Sequence, residues 1–545
     1  MEKLHKANKE FQSIQHLKKN NFIFITFKVP YLITMNKIYI TILVTVSLIS
    51  CTTHTKEKPI IHINELTIAQ IHQAYQQGNY TAVDLVKAYL KQIDSLDSKT
   101  NAISFINPNA LADAKRLDAE FKKTGKLKPL HGIPLLVKDN YNTIGMPTTA
   151  GALALQNFVP DNNAFVVQQL INAGAIIIAK TNMAEWAFSA KHTESSTKGT
   201  TLNPYHLSYV PAGSSGGTGA GIAANFGTIG LGTDTGNSIR GPSSHNALVG
   251  FRTTLGLVSR SGIIPLYMRN DVAGPMCRTV EDATKVLEVI AGYDTHDTLT
   301  TYGKNKVENN YQYYLKKEGL KGARIGILKQ LSDNNPDPEV KALFQKSIID
   351  LKQLGATVVA IQVKDFDSLK TNQWCANFKN DIEAYLAEYV KLDTVKTLED
   401  IIRIGTKSAY AKGVLDYFSK NEGREKHKEI ACGNPFTDTR RIAFRNAIEQ
   451  QMDSLHLDAI IYPTWNNKPA HISKFEEEYL GDNNQVIAPH TGQPAFTVPM
   501  GFTSEGLPVG LQFLGRMFSE PTLIRLSYSY EQGTKHRKPP LFVKN

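Results

Sequence analysis

The chain has 545 residues, of which 41% are hydrophobic and 20% charged, with 38 Gly and 24 Pro spread along its length. That composition excludes wholesale disorder, a collagen-like repeat and a disulfide-rich miniature scaffold. Length alone would allow about three to four domains. The formal charge of +11 invites a nucleic-acid reading, but seven Lys against Glu2 and Glu10 in residues 1–50 supply +5 of it, leaving +6 for the rest. With no Lys/Arg block interleaved with aromatics, that remainder reads as a solvated basic surface, and no nucleic-acid partner is expected.

Residues 38–50 form an uncharged apolar run after Lys37. It is shorter than the ~20 residues of a bilayer-spanning helix and fits the core of a signal peptide. The run ends in Leu48-Ile49-Ser50-Cys51, which resembles a bacterial lipobox, with Cys51 lipidated as the mature N-terminus. Met35-Asn36-Lys37 would make a compact start, with residues 1–34 an over-extension; an uncleaved anchor is the alternative. Either way residues 1–50 read as a targeting segment and 51–60 as a tether. The expected location is outside the cytoplasm, on a membrane facing the periplasm. The other three cysteines, Cys277, Cys375 and Cys432, are too widely separated for a disulfide framework or a CxxC metal site.

From residue 60 onward helices and strands alternate. Ile68, Ile71 and Tyr75 lie at helical spacing. Thr81 and Asp84 make a capping box for a second helix with Leu85, Ala88, Tyr89 and Ile93 on its apolar face. Gly132–Val137 and Ala175–Ala179 read as buried strands with Phe165–Ala173 a helix between them, and Gly216–Phe226 reads as a Gly/Ala-rich helix leading to Thr228–Gly232. Ala323–Leu328, Ala356–Val363, Asp458–Tyr462, Phe496–Met500 and Val509–Leu514 are further strands, with a helix at Val340–Leu354 entered through Pro338. Such alternation predicts an α/β sheet covered on both faces. Residues 364–450 are charged and irregular, an insertion or lid within a 60–540 domain.

For the chemistry, no HExxH, Cys/His cluster or EF-hand loop is present, so no metal is expected; no Walker lysine follows a Gly-rich loop, and no cofactor is expected. Gly219-Ala-Gly221-Ile-Ala-Ala224 matches a relaxed dinucleotide fingerprint but does not open a helix after a strand, so close helix packing explains it better. Pro211-Ala212-Gly213-Ser214-Ser215-Gly216-Gly217 contains GxSxG at Gly213, Ser215 and Gly217. That is the nucleophile-elbow pattern, which would need an acid and a histidine such as His245. A second special segment, Gly230 to Pro242, carries Thr233-Asp234-Thr235-Gly236-Asn237-Ser238-Ile239-Arg240, and a third lies upstream at His131-Gly132-Ile133-Pro134-Leu135-Leu136-Val137-Lys138-Asp139-Asn140.

Together these three segments resemble the amidase signature family. Further matches follow in order: Ala179-Lys180-Thr181-Asn182-Met183-Ala184-Glu185-Trp186, Asp271-Val272-Ala273-Gly274-Pro275-Met276, Asp458-Ala459-Ile460-Ile461-Tyr462-Pro463-Thr464 and Leu507-Pro508-Val509-Gly510-Leu511-Gln512. The likeness spans roughly residues 60–535. It implies a single α/β/α domain with a twisted mixed sheet of about eleven strands, against the several domains that length allows. It also implies a seryl acyl-enzyme amidase, peptide-amidase-like, with Ser238 as nucleophile, Ser214 as bridging serine after a cis peptide at Gly213, and Lys138 as base. Thr235, Gly236, Asn237 and Ser238 would supply the oxyanion donors, and Gly213, Ser215, Asp234 and Arg240 would support them. The implied substrate is a small-molecule or peptide amide.

Elementary chemistry agrees with those roles. A serine hydroxyl needs a base as it attacks. Lysine serves only when neutral, so its pKa must fall from ~10.4 towards ~7–8, about 4 kcal/mol. Leu135, Leu136 and Val137 place Lys138 at the end of an apolar strand, where desolvation pushes that way. Asp139 would oppose the fall, but adjacent strand residues face opposite sides. Two departures from the family pattern stand out. Ala212 replaces a frequent Gly, a change expected to be harmless. Asn237 replaces the commonest Gly, where its tolerance of left-handed backbone should preserve the loop while its amide narrows the pocket. Competing readings are a helix entrance for the Gly/Ser loop, surface charges for Asp234 and Arg240, an esterase built on Ser215, a glutaminase component of an amidotransferase, and a non-catalytic surface lipoprotein.

Overall fold

The computed structural model describes residues 61–375, 377–420 and 433–543. Cys51, the targeting segment, the tether and Cys432 lie outside the described residues.

Among the described residues thirteen strands follow in chain order: β1 (Ile103–Ile106), β2 (Pro134–Lys138), β3 (Ile176–Thr181), β4 (Glu194–Ser195), β5 (Gly199–Thr200), β6 (Ile229–Asp234), β7 (Val249–Arg252), β8 (Val272–Cys277), β9 (Arg324–Leu328), β10 (Thr357–Ile361), β11 (Ala459–Pro463), β12 (Ala495–Phe502) and β13 (Pro508–Leu514). The pair β4–β5 is a separate small ribbon; the other eleven form one sheet ordered β1-β3-β2-β6-β8-β7-β12-β13-β11-β9-β10. Strand β2 runs parallel to both β3 and β6, whereas β6–β8, β8–β7, β7–β12 and β12–β13 are antiparallel, so the sheet is mixed. The strands inside the sheet are buried because both faces are covered, as in β2 and β6, where every residue is buried, whereas the edge strands β1 and β10 are partly exposed. This is the α/β architecture and strand number that the resemblance implies.

The capping box is present: the Thr81 hydroxyl accepts from the Asp84 N–H at 3.1 Å, and Asp84 accepts from the Thr81 N–H at 3.3 Å. The helix it starts, Ala82–Thr100, buries Leu85, Val86, Tyr89 and Ile93. Ala88 is only half-buried, one position off the face that Val86 completes.

The sheet's main positioning feature is the pairing of β2 with β6, which sets Val137 opposite Leu231 and brings the ends of both strands together. In open α/β sheets the crevice outside the C-terminal ends of parallel strands is where ligands bind. The helix Gly216–Ala223 lies against this junction, and all eight of its residues are buried. Glycine is required there by close approach, since a Cβ on Gly217 would lie 2.1 Å from the Asn182 carbonyl oxygen. The Gly219–Ala224 pattern is therefore a packing surface.

Residues 364–450, where described, are mostly helical: Phe366–Leu369, Phe378–Tyr389, Leu398–Ile404, Ala409–Lys420 and Thr439–Ser454. Phe378, Ile382, Leu386, Leu398, Ile401 and Leu415 share a small core with Met183, Trp186 and Ile264 from the main body.

Candidate active site

Lys138 ends β2 and is fully buried. Its Nζ lies 2.7 Å from Ser214 Oγ and 2.8 Å from Thr233 Oγ1. Burial pulls the amine down to about 7, against the weaker opposing pull of Asp271 and Asp234. Asp139 does not oppose this: it points away to pair with Lys180 at 3.3 Å and accepts the Thr149 hydroxyl. Lys180 is itself held by the Tyr141 carbonyl at 2.8 Å and the Thr148 hydroxyl at 3.0 Å. The two neighbouring charges of the Lys138-Asp139 pair thus serve opposite sides of the strand.

Thr233, one residue before the end of β6, carries no signal in the sequence that would mark it as functional. Its Oγ1 also accepts from Asn140 Nδ2 at 3.1 Å. A neutral amine has two N–H donors and one lone pair. Its two N–H groups suffice for both contacts, in which Nζ donates to Ser214 Oγ and to Thr233 Oγ1.

Ser214 follows a cis peptide bond at Gly213–Ser214. Its segment is clasped on several sides: Gly213 N–H donates to the Ala190 carbonyl at 2.9 Å, and the Ser214 carbonyl accepts from Ala184 N–H at 3.0 Å. A Cβ on Gly213 would lie 2.3 Å from the His192 carbonyl oxygen, so glycine is needed by crowding. Ala212 is not a neutral replacement, because it holds φ +61°. Left-handed backbone costs an L-residue roughly 1–2 kcal/mol, so the expectation of harmlessness is corrected.

Ser215 and His245 do not form an elbow. The Ser215 hydroxyl donates to the Thr233 carbonyl at 3.3 Å and accepts its N–H at 3.4 Å. His245 is stacked on Trp465 with ring centroids 4.6 Å apart, and burial pushes it down to about 3. The esterase reading built on this pair therefore loses its base.

Ser238 lies in the turn between β6 and the helix Arg240–His245, 4% exposed. The turn is organised by Asp234, which is fully buried and contacts Arg240 Nε at 3.0 Å and Arg252 Nη1 at 2.8 Å. Burial alone would raise this carboxyl; the two guanidiniums more than reverse it and hold it well below the usual range. Asp234 Oδ2 also accepts the N–H groups of Ile239 and Arg240, at 3.2 and 3.4 Å. Arg240 reaches on to the carbonyls of Gly236 at 2.8 Å and Asn484 at 3.1 Å. Asp234 and Arg240 are structural anchors of the turn, and the surface-charge alternative fails on their burial.

The N–H groups of Thr235, Gly236, Asn237 and Ser238 make no hydrogen bond among the described residues. The carbonyl of Gly236 is fixed by Arg240, while these N–H groups of the turn are left without a partner among the described residues. Thr235 Oγ1 donates to Asp271 at 2.5 Å. Asn237 departs from expectation in two ways. Its φ is not left-handed. Its amide is engaged with the Gly213 carbonyl at 2.8 Å and with Asn484 at 2.8 Å, and it does not line the adjoining cavity.

That cavity, about 690 Å³, is lined by aromatic side chains including Tyr267, Trp374, Phe378, Tyr417 and Phe418. Gln485, also in its lining, abuts the turn: a Cβ on Gly236 would lie 2.1 Å from Gln485 Oε1. Most of these residues come from the 364–450 stretch, which carries no recognisable motif.

With this geometry in view, the relationships of the chain are informative. The family model described as Amidase matches residues 84–524. A probable amidase of Arabidopsis thaliana is 35% identical over 496 residues, covering 88% of this chain and 92% of that protein. A glutamyl-tRNA(Gln) amidotransferase subunit from Microcystis aeruginosa is 34% identical over 499 residues, covering 88% and 99%. The native peptide amidase of Stenotrophomonas maltophilia superposes with a TM-score of 0.78 at 34% identity, covering 88% of this chain and 99% of that one. The chain belongs to the amidase family. It is a hydrolase acting on amide carbon–nitrogen bonds.

The Asp234 anchor makes a sharp prediction. Asp234→Asn leaves two buried guanidiniums uncompensated, a change worth about 3–5 kcal/mol, and should lower the melting temperature and abolish activity together. Asp161→Asn, which breaks the exposed pair with Lys391, should leave the melting temperature close to that of the wild type, because water screens such a pair. Equal melting curves for the two variants would contradict the anchor role.

Proposed function

We propose that Ser238, Ser214 and Lys138 carry out the amide hydrolysis through a seryl acyl-enzyme. The observation that carries this reading is the buried Lys138 amine, 2.7 Å from Ser214 Oγ, beside a turn whose N–H groups are open. Ser238 Oγ attacks the amide carbon and passes its proton to Ser214, whose own proton moves to Lys138. The oxyanion settles on N–H groups of residues 235–238; each such donor is worth about 10²–10³ in rate. When the C–N bond breaks, the proton returns from Lys138 through Ser214 to the departing nitrogen, and ammonia or an amine leaves. Water then repeats the cycle to free Ser238. Only the neutral lysine can begin it, so kcat/KM should rise with pH through about 7 and level off above.

Burying an amine that water would keep charged serves activity at the expense of the fold. Ser238→Ala and Lys138→Met should each lose at least about 10³-fold in kcat, while Lys138→Met melts at or above the wild-type temperature at pH 7. Wild-type turnover in Ser238→Ala would discard the nucleophile; a flat kcat/KM between pH 6 and 9 would discard the lysine base.

For the substrate, we propose an amide whose acyl part is bulky and uncharged, such as a peptide C-terminal amide. Cavities of roughly 300–1,000 Å³ hold drug-sized ligands, and the aromatic lining here favours apolar groups. Likeness to the Stenotrophomonas peptide amidase supports the reading; likeness to the amidotransferase relatives supports glutamine as the competitor. An N-acyl dipeptide amide ending in Phe or Leu should exceed glutamine in kcat/KM by at least about tenfold, the scale set by one or two buried methylenes. The reverse order would favour the glutaminase reading.

We further propose that the protein is exported and lipid-anchored through Cys51, on the strength of the apolar run and the Leu48–Cys51 tetrapeptide. Metabolic labelling with palmitate should mark the wild type and not Cys51→Ser; an unlabelled wild type would remove the anchor.

A further inference from the structure

The relay needs two serines from segments twenty-four positions apart in sequence, Ser214 and Ser238, to hold a fixed separation. Most contacts to the Ser214 segment come from elsewhere, through Ala184 and Ala190. The carbonyl that immediately precedes Ser214, that of Gly213, is instead bonded by the Asn237 side chain, Nδ2 to O at 2.8 Å. Asn237 is the residue immediately before Ser238. One side chain therefore joins the peptide that carries the relay serine to the turn that carries the nucleophile.

The orientation of that amide is set from its other end. Asn237 Oδ1 accepts from Asn484 Nδ2 at 2.8 Å. Asn484 Nδ2 also faces the Thr464 carbonyl at 3.0 Å and Asp482 Oδ1 at 2.9 Å, so its two protons are shared among three acceptors and cannot be reversed without facing three oxygens with an oxygen. The Asn484 backbone is gripped in turn by Arg240, which donates to its carbonyl at 3.1 Å. Asn237 is 1% exposed, and a Cβ on Gly241 would lie 2.1 Å from Asn237 Oδ1, so the amide is boxed in. A buried, fully oriented donor of this sort is a device for holding geometry.

We propose that Asn237 is a positioning residue for amide hydrolysis, tying the Gly213–Ser214 peptide to the Ser238 turn, and that Asn484 fixes the amide in the orientation that does so. This rests on the Ser238–Ser214–Lys138 reading. The side chain is spent on the carbonyls of Gly213 and, at 3.3 Å, Ala190 and on the Asn484 amide; it acts by setting where the two hydroxyls meet. A misplacement of about 1 Å in such an arrangement costs on the order of 10²-fold in rate.

The test uses the purified full chain and the best amide substrate from a panel. Asn237→Asp keeps the shape and replaces the donor facing the Gly213 carbonyl by an oxygen. It should lower kcat about 10- to 100-fold while KM stays within about threefold. Asn484→Ala should lower kcat in the same direction by a smaller factor. The double variant should be no worse than Asn237→Asp alone, because both act through one bond. A kcat for Asn237→Asp within twofold of wild type, or losses that multiply in the double variant, would overturn the proposal. Should Asn237→Asp fail to fold, Asn484→Ala decides alone: unchanged kcat overturns it, a selective kcat loss upholds it. Ser238→Ala runs alongside; activity persisting there sinks the underlying reading, a result distinct from failure of the positioning role.

Discussion

An amine taken entirely out of water, with hydroxyls rather than a carboxylate for partners, is the constraint around which this molecule is arranged. Lys138 could be kept charged by a single acid at its tip, and the nearby acids are placed so that none does this. Asp139 is turned to the far side of the strand onto Lys180. Asp234 is saturated by Arg240 and Arg252, and Asp271 accepts from Thr235 and from the N–H groups of Leu266 and Tyr267. Each carboxylate has a stronger claim elsewhere, and the balance left at Lys138 is desolvation.

The sheet makes this arrangement possible. Parallel pairing of β2 with β6 sets the lysine beside Thr233 and delivers the chain directly into the Asp234–Arg240 turn. The same carboxylate that bridges two guanidiniums also takes up the N–H groups of Ile239 and Arg240. Those of residues 235–238 make no such bond among the described residues, and a row of open donors in a buried turn favours developing negative charge. Anchoring the turn and leaving those N–H groups unbonded are thus two consequences of one set of bonds, and the helix-facing glycines serve mainly to let the backbones come this close.

Much of this is legible in the sequence because it is carried by residues close together in the chain. Apolar runs such as Leu135–Val137 mark strands that are buried on both faces, and the lysine at the end of one announces its own desolvation. The box at Thr81 and Asp84 is local and needs no tertiary information. What escapes such a reading depends on contacts between distant segments. Thr233 looks like an ordinary strand threonine until Lys138 and Asn140 meet on its oxygen. Ala212 discloses its left-handed backbone only in three dimensions. The sequence shows Asn237 as a matter of backbone tolerance and bulk, whereas its role in the structure follows from a carbonyl twenty-four residues earlier and an amide 247 residues later. The aromatic cavity draws on helices whose charged, weakly patterned sequence conceals the few rings that face inward.

Activation of the nucleophile by a neutral lysine shows in the chemistry of Ser238 itself, apart from substrate binding and turnover. The second-order rate of labelling by a fluorophosphonate, measured from pH 5 to 10 with the modified residue located by mass spectrometry, reports that activation alone. The expected result is a label on Ser238, a rate that climbs through an apparent pKa near 7 to a plateau, and loss of the climb in Lys138→Met. Labelling elsewhere, or a rate on Ser238 that does not depend on pH or on Lys138, would contradict it.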